Sequence, residues 1–247
     1  MTAFVGRFRS WQRSARLAAQ PATVICRVNL IRQADRARRK RTCREYAPND
    51  LAALIEQRGI APAHVVGSSI GGSIALRLAG RRRELFRSIC AHEPPSFEVL
   101  RADLETEPLY EDQVTKLGIV EQRLATGDME GGARLFFETI ALGPGAWEQL
   151  PEQSRRTFVT NAPTFLAELR DPEQLRIDLD GLARFPHPTL LTNGDTSKPE
   201  FPAVVARLAR VMPRAERTTL VGAGHVPHLT HPAEYVRVTR DFLSRLH

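Results

Sequence analysis

The sequence predicts an α/β fold: a mostly parallel sheet with helices on both faces, interrupted by a helical insertion. Three observations carry this. Short apolar runs alternate with amphipathic runs of helical length on either side of residues 96–185. Strands that alternate with helices need crossover connections, which build a parallel sheet covered on both faces. Residues 96–185 break the alternation with helical periodicity and weak strand signals. Finally, the stretch Ala63-His64-Val65-Val66-Gly67-Ser68-Ser69-Ile70-Gly71-Gly72 ends an apolar run in a glycine. A serine stands two places on and a helical run follows.

That stretch has a physical reading. A serine at a sharp strand-to-helix turn is held in a strained backbone conformation, with its hydroxyl clear of the sheet. Side chains two residues to either side would collide where strand and helix pack closely, so Gly67 and Gly71 fill both places. The first N–H groups of the new helix have no intrahelical acceptor and point at a reacting carbonyl, where negative charge develops. A glycine-rich turn without chemistry has the same five-residue spacing. The flanking strand and helix favour the catalytic reading.

The 247 residues suit one domain, 1–247, carrying the insertion within it. Hydrophobic residues make up 42%, enough for a sizeable core. No apolar run approaches the roughly 20 residues that span a bilayer. Three cysteines, Cys26, Cys43 and Cys90, show no metal-ligand spacing. Such a sparse, odd set indicates a reducing, cytoplasmic setting without disulfides. The expectation is no membrane and no nucleic-acid partner, with oligomeric state left open. The net charge of +7 is unevenly placed: residues 1–44 carry a net +11 and the remainder a net −4.

Residues 1–45 form the atypical basic segment. Residues 10–19 suit a short helix and 22–31 a strand, followed by the run Arg36-Ala37-Arg38-Arg39-Lys40-Arg41. Clustered Arg and Lys attract phosphates and also mark targeting peptides. A solvated basic loop is the plain alternative. So many arginines with one aspartate cannot pack without partners, so this segment should be the least stable and the first cut by protease. From Tyr46 the pattern is regular. Asp50 caps a helix over 50–58, with Leu51, Leu54 and Ile55 on one face and Gly59 as its stop. After the serine turn come a helix to Leu85 and a strand over 86–91, closed by His92-Glu93-Pro94-Pro95. The insertion reads as helices over 111–126, 128–142, 151–161 and 163–169, with Leu135, Phe136 and Ile140 on one stripe. Its place between two strands suits a lid. Strands over 188–192 and 217–221, a helix over 203–212 and a final helix over 232–246 complete the chain.

A serine cannot attack an ester at neutral pH without a base. His225, in the turn Gly222-Ala223-Gly224-His225 after the last strand, is the best candidate. His228 and His231, beside prolines at the last helix, are weaker ones. With Gly-x-Ser-x-Gly-Gly and Gly-Ala-Gly-His both present, the chain from about Tyr46 onward resembles the α/β-hydrolase family. The resemblance implies a serine esterase, lipase or lactonase-like hydrolase with Ser69 in the nucleophile elbow, His225 as base, no metal and no organic cofactor. It also implies that the Ile70 N–H stabilises the oxyanion. Family members begin with a hairpin and a strand ending in His-Gly, and later carry an Asp-x-x-Gly-x-Gly turn. Neither is present here. The resemblance therefore reads residues 1–45 as the remnant of an enzyme N-terminus, truncated or frame-shifted.

The acid is contested. The family mostly places it in Gly-x-x-Asp after the strand matching 188–192, where this chain has Gly194-Asp195-Thr196-Ser197 and so a serine. Asp195 lies two places away. A minority branch, resembling haloalkane dehalogenases and related luciferases, puts a glutamate after the strand following the elbow helix; that position is Glu93. Either carboxylate is expected at the carboxyl edge of the sheet. The implied function is a serine hydrolase acting on a small ester, lactone or similar acyl substrate. The alternative is a weak or inactive relative that binds a ligand or partner.

Overall fold

The computed structural model describes residues 3–4, 23–26, 43–170 and 176–246. The expected 10–19 helix and the 36–41 basic run lie outside them, as does the end of the 22–31 strand. The described residues fall into two compact units. The first lies within Met1–Val28, Ala47–Val99 and Arg176–His247, the second within Asn29–Tyr46 and Leu100–Leu175.

The first unit holds a six-stranded sheet whose strands lie in chain order, every neighbouring pair parallel. They are β1 (Ala3–Phe4), β2 (Thr23–Cys26), β3 (Ala63–Ser68), β4 (Phe86–His92), β5 (Thr189–Gly194) and β6 (Ala215–Leu220). Val65, Val66, Ile89, Cys90, Leu190 and Leu191 are all buried. Such continuous apolar runs are what a parallel sheet covered on both faces requires. β6 is an edge strand and is open to solvent along most of its length.

The helices of this unit, with those of the second numbered in chain order, follow from local chemistry. α1 (Cys43–Gln57) begins earlier than expected: Asp50 is exposed within it, and the helix carries Pro48. Leu51, Ala52 and Ile55 bury its inner face, and that packing stabilises the helix. Gly59, at φ +60°, ends it. α2 (Ile70–Ala79) is buried along nearly its whole length, and a 3₁₀ turn (Arg83–Leu85) leads into β4. α7 (Leu179–Ala183), α8 (Glu200–Val211), α9 (Pro227–Thr230) and α10 (Pro232–Ser244) complete the unit. Tyr235, Val238, Phe242 and Leu243 of α10 pack on Val66, Cys90, Leu190 and Leu220 of the sheet.

The second unit is helical: α3 (Glu107–Ala125), α4 (Met129–Phe136), a π turn (Phe137–Ala141), α5 (Ala146–Gln149) and α6 (Glu152–Leu169). Asp128 caps α4 by accepting the Gly131 N–H at 2.9 Å. Leu117, Val120 and Leu124 form one stripe of α3 and share a core with Ile140 and Ala162, against which Leu135 and Phe136 also pack. The expected break at Pro163 does not occur: α6 runs through it. An interior proline costs about 3 kcal/mol. Ala162, Phe165, Leu166 and Leu169 all pack on the same core across it, and that burial prevails. Among the described residues no helix is long and apolar enough to cross a membrane.

Candidate active site

Strand register builds the site. Ser68 of β3 lies opposite His92 of β4, and His92 opposite Thr192 of β5. The chain continues one step beyond on each strand: the Ser69 N–H donates to the His92 carbonyl at 2.8 Å and the Glu93 N–H to the Thr192 carbonyl at 3.0 Å. Ser69 and Glu93 are thus the first residues past two adjacent strands, on one edge of the sheet. They are also the two described non-glycine residues with positive φ, +54° for Ser69 and +42° for Glu93. That conformation is costly for L-residues and persists where surrounding structure enforces it.

The enforcement at Ser69 is visible. A Cβ on Gly67 would stand 2.5 Å from the Gly71 carbonyl oxygen, so the elbow closes only around glycine. Ser69 precedes α2 without using its hydroxyl as a cap. The hydroxyl lies instead 2.9 Å from His225 Nε2. Ile70 opens α2 directly after it, which places the Ile70 N–H among the donors without an intrahelical acceptor.

His225 reaches this edge on the loop after β6. A Cβ on Gly194, at the end of β5, would fall 2.0 Å from the Ala223 carbonyl oxygen, so the loop lies directly against that strand end. The imidazole is about nine-tenths buried. Its Nδ1 lies 2.8 Å from Glu93 Oε2. The Phe201 ring stacks on its face, centroids 4.3 Å apart at 26°. With Nδ1–H donating to Glu93, Nε2 is free to accept the Ser69 hydroxyl proton.

Glu93 is fully buried, yet it accepts the Gly194 N–H on Oε1 at 2.7 Å as well as His225 on Oε2. Burial opposes its charge. The His225 hydrogen bond, the facing His92 and His225 rings and the nearby Ser197 hydroxyl outweigh that and hold the carboxyl below its ordinary value. His92 is also fully buried, and burial, with His225 nearby, pushes its pKa down to about 4.

The two carboxylates have different partners. Asp195 is exposed, and its Oδ1 accepts the Gly222 N–H at 2.7 Å, stapling the turn after β6. It is Glu93 that stands on His225. Asp195, the other expected candidate, is bonded instead to the turn backbone. His231 hydrogen-bonds its neighbour Thr230 rather than the serine. Three participants escaped sequence reasoning. Gly194 gives Glu93 an N–H and the His225 loop its room; a glycine closing an apolar strand was the available signal. His92 announced itself only as Glu93's neighbour, and Phe201 carried no signal at all among the apolar residues of α8.

Comparison with known proteins agrees with this architecture. A mouse protein, sn-1-specific diacylglycerol lipase ABHD11, is 25% identical over 219 residues, covering 81% of this chain. The chain spans 65% of that relative's length. The solved structure of MenH from S. aureus superposes with a TM-score of 0.68 at 15% identity, covering 100% of this chain and 92% of that one. The enol-lactonase from Burkholderia xenovorans LB400 gives 0.61 at 18% identity, covering 83% and 74%. These two likenesses speak to the fold. The model of the alpha/beta hydrolase family matches residues 6–238, and the chain belongs to that family.

Proposed function

We propose that the protein is a serine hydrolase cleaving a small ester, lactone or similar acyl substrate, with Ser69 as nucleophile, His225 as base and Glu93 as acid. The observation that carries this is the continuous chain from Ser69 Oγ to His225 Nε2 at 2.9 Å and from His225 Nδ1 to Glu93 Oε2 at 2.8 Å. The ester-cleaving activity named for the mouse relative supports the acyl class of substrate.

In this mechanism Ser69 Oγ bonds to the substrate carbonyl carbon while its proton passes to His225 Nε2. The carbonyl oxygen becomes an oxyanion facing the Ile70 N–H at the start of α2. One such donor is worth about 10²–10³-fold in rate. Glu93 stays ionised and holds the imidazolium. The tetrahedral intermediate collapses, the C–O bond to the leaving alcohol breaks, and His225 returns the proton to that alcohol. Water, deprotonated by His225, then attacks the acyl carbon; the bond to Ser69 Oγ breaks, His225 returns the proton to Ser69, and the acid is released.

Turnover of a short p-nitrophenyl ester tests this. It is expected to collapse by about 10⁴-fold or more in Ser69→Ala and His225→Ala, with the folded state retained. Full activity in Ser69→Ala would end the mechanism and leave the chain as a ligand-binding relative.

A further inference from the structure

The mechanism uses one histidine, yet a second one touches the same carboxylate. His92 closes β4 directly before Glu93 and is wholly shielded from solvent. Its ring cannot turn freely. Nδ1 lies 3.0 Å from the hydroxyl of Thr192, its partner in register on β5. The His92 and Tyr235 rings meet in a T-shaped contact, centroids 5.8 Å apart at 73°. With the Thr192 hydroxyl donating to Nδ1, the neutral ring carries its proton on Nε2. Nε2 makes no hydrogen bond of normal length among the described residues. It lies 3.7 Å from Glu93 Oε2, the same oxygen that receives the His225 N–H.

A carboxylate offers about four acceptor directions. Gly194 takes one on Oε1 and His225 one on Oε2. A buried N–H 3.7 Å from the second oxygen, beyond hydrogen-bond distance, is a donor held in reserve. Hydrogen bonds that serve a reaction are often long in the resting enzyme and tighten as charge develops. Here charge develops when His225 becomes an imidazolium, because the Nδ1–H···Oε2 contact then turns into an ion pair. A second donor on Oε2 spreads the carboxylate charge and keeps the proton on the imidazolium.

We propose that His92 is a positioning residue for the Glu93–His225 pair, its Nε2–H closing on Glu93 Oε2 as the imidazolium forms. The inference rests on the serine-hydrolase reading above. The titratable groups facing His92 are Glu93 and His225 at the strand edge and Tyr235 on α10, and the Gly224 carbonyl is the competing acceptor near its ring. A bond that closes only on the imidazolium state stabilises that state, so loss of the donor moves the His225 titration to lower pH.

The test compares His92→Leu, which keeps bulk without a donor, with His92→Gln, whose amide keeps an N–H. On a p-nitrophenyl ester, His92→Leu is expected to lower kcat about tenfold or more, the scale of a hydrogen bond to a charged group, with KM little changed. The acid limb of kcat/KM should fall by about half a pH unit or more, and His92→Gln should recover most of both. A structural role alone would lower activity in both variants without moving the limb, and that result overturns the proposal. Histidine ¹⁵N NMR supplies a readout that needs no turnover. Wild-type His92 should be neutral with its proton on Nε2, and the His225 midpoint should fall in His92→Leu. A proton on Nδ1, or an unmoved His225 midpoint, overturns the inference even if the enzyme is active. A shifted midpoint in a protein that never acylates Ser69 would sink the proposed function and leave the His92 contact standing.

Discussion

Two neighbouring strand ends each present a carboxylate, and the two have opposite fates. Glu93, past β4, is buried, strained in its backbone and bonded to Gly194 and His225. Asp195, just past β5, is exposed and bonded to the backbone of a turn. The difference is placement, not chemistry. β4 is an interior strand flanked by β3 and β5, so a residue just beyond it emerges between the serine elbow and the histidine loop. β5 ends against β6, the edge strand, and a residue beyond it turns to solvent. A charge acts on a partner at short range and low exposure, and water screens it elsewhere.

The sharpest way to break this comparison is to neutralise Glu93. Glu93→Gln is expected to lower kcat by about 10³–10⁴-fold, the scale of losing a triad acid. Steady-state ester hydrolysis reads it out, and a loss below tenfold would remove Glu93 from the mechanism.

Acid stability probes the same buried end without chemistry. An unfolded imidazole takes up its proton near 6.5, whereas folded His92 does so only at about 4. Between those values the unfolded chain binds more protons, so stability falls as pH drops through the window, by about 3 kcal/mol in all. Glu93 extends the loss below 4.5, because its carboxyl is held lower in the fold and its stabilising charge disappears on protonation. Urea unfolding from pH 7 to pH 4 measures this. His92→Leu should flatten the curve above pH 4.5, and an unchanged slope would contradict the burial argument.

Gly194 is the hinge of the comparison, since it serves both ends. Gly194→Ala would force Cβ within 2.0 Å of the Ala223 backbone and push the His225 loop off β5. A shift of about 1 Å at a catalytic group costs about 10²-fold, and the strain should destabilise by about 1–3 kcal/mol. Ester kinetics and denaturant midpoints on one preparation test it; wild-type values of both would show that the loop has room. The smallest effect is expected at Asp195. Asp195→Asn keeps an oxygen for the Gly222 N–H and should cost tenfold or less in kcat. A larger loss would transfer weight to the second strand end.

How much of this was legible in the sequence follows from the range of the contacts. The elbow was readable because Gly67, Ser69 and Gly71 lie within five residues and obey one steric constraint. The alternating rhythm identified β3 to β6 to within a few residues, because buried parallel strands are nearly pure apolar runs. The choice between Glu93 and Asp195 was not readable. Each follows an apolar strand, and only the sheet order says which strand end meets the His225 loop. Phe201 and His225 touch across 24 residues of chain, and His92 and Thr192 across 100, so neither pairing leaves a local pattern. Pro163 misled for a related reason: its local cost is real, but the core on both sides of it decides.

The central claim is that Ser69 is activated through His225 by Glu93. It is tested most directly by the rate at which a fluorophosphonate probe labels Ser69, located by peptide mass spectrometry, in the wild type, Glu93→Gln and Asp195→Asn. The account predicts a single adduct on Ser69. Labelling should slow by about 10³-fold or more in Glu93→Gln and by tenfold or less in Asp195→Asn. An adduct elsewhere, or the reverse ranking of the two variants, would contradict it.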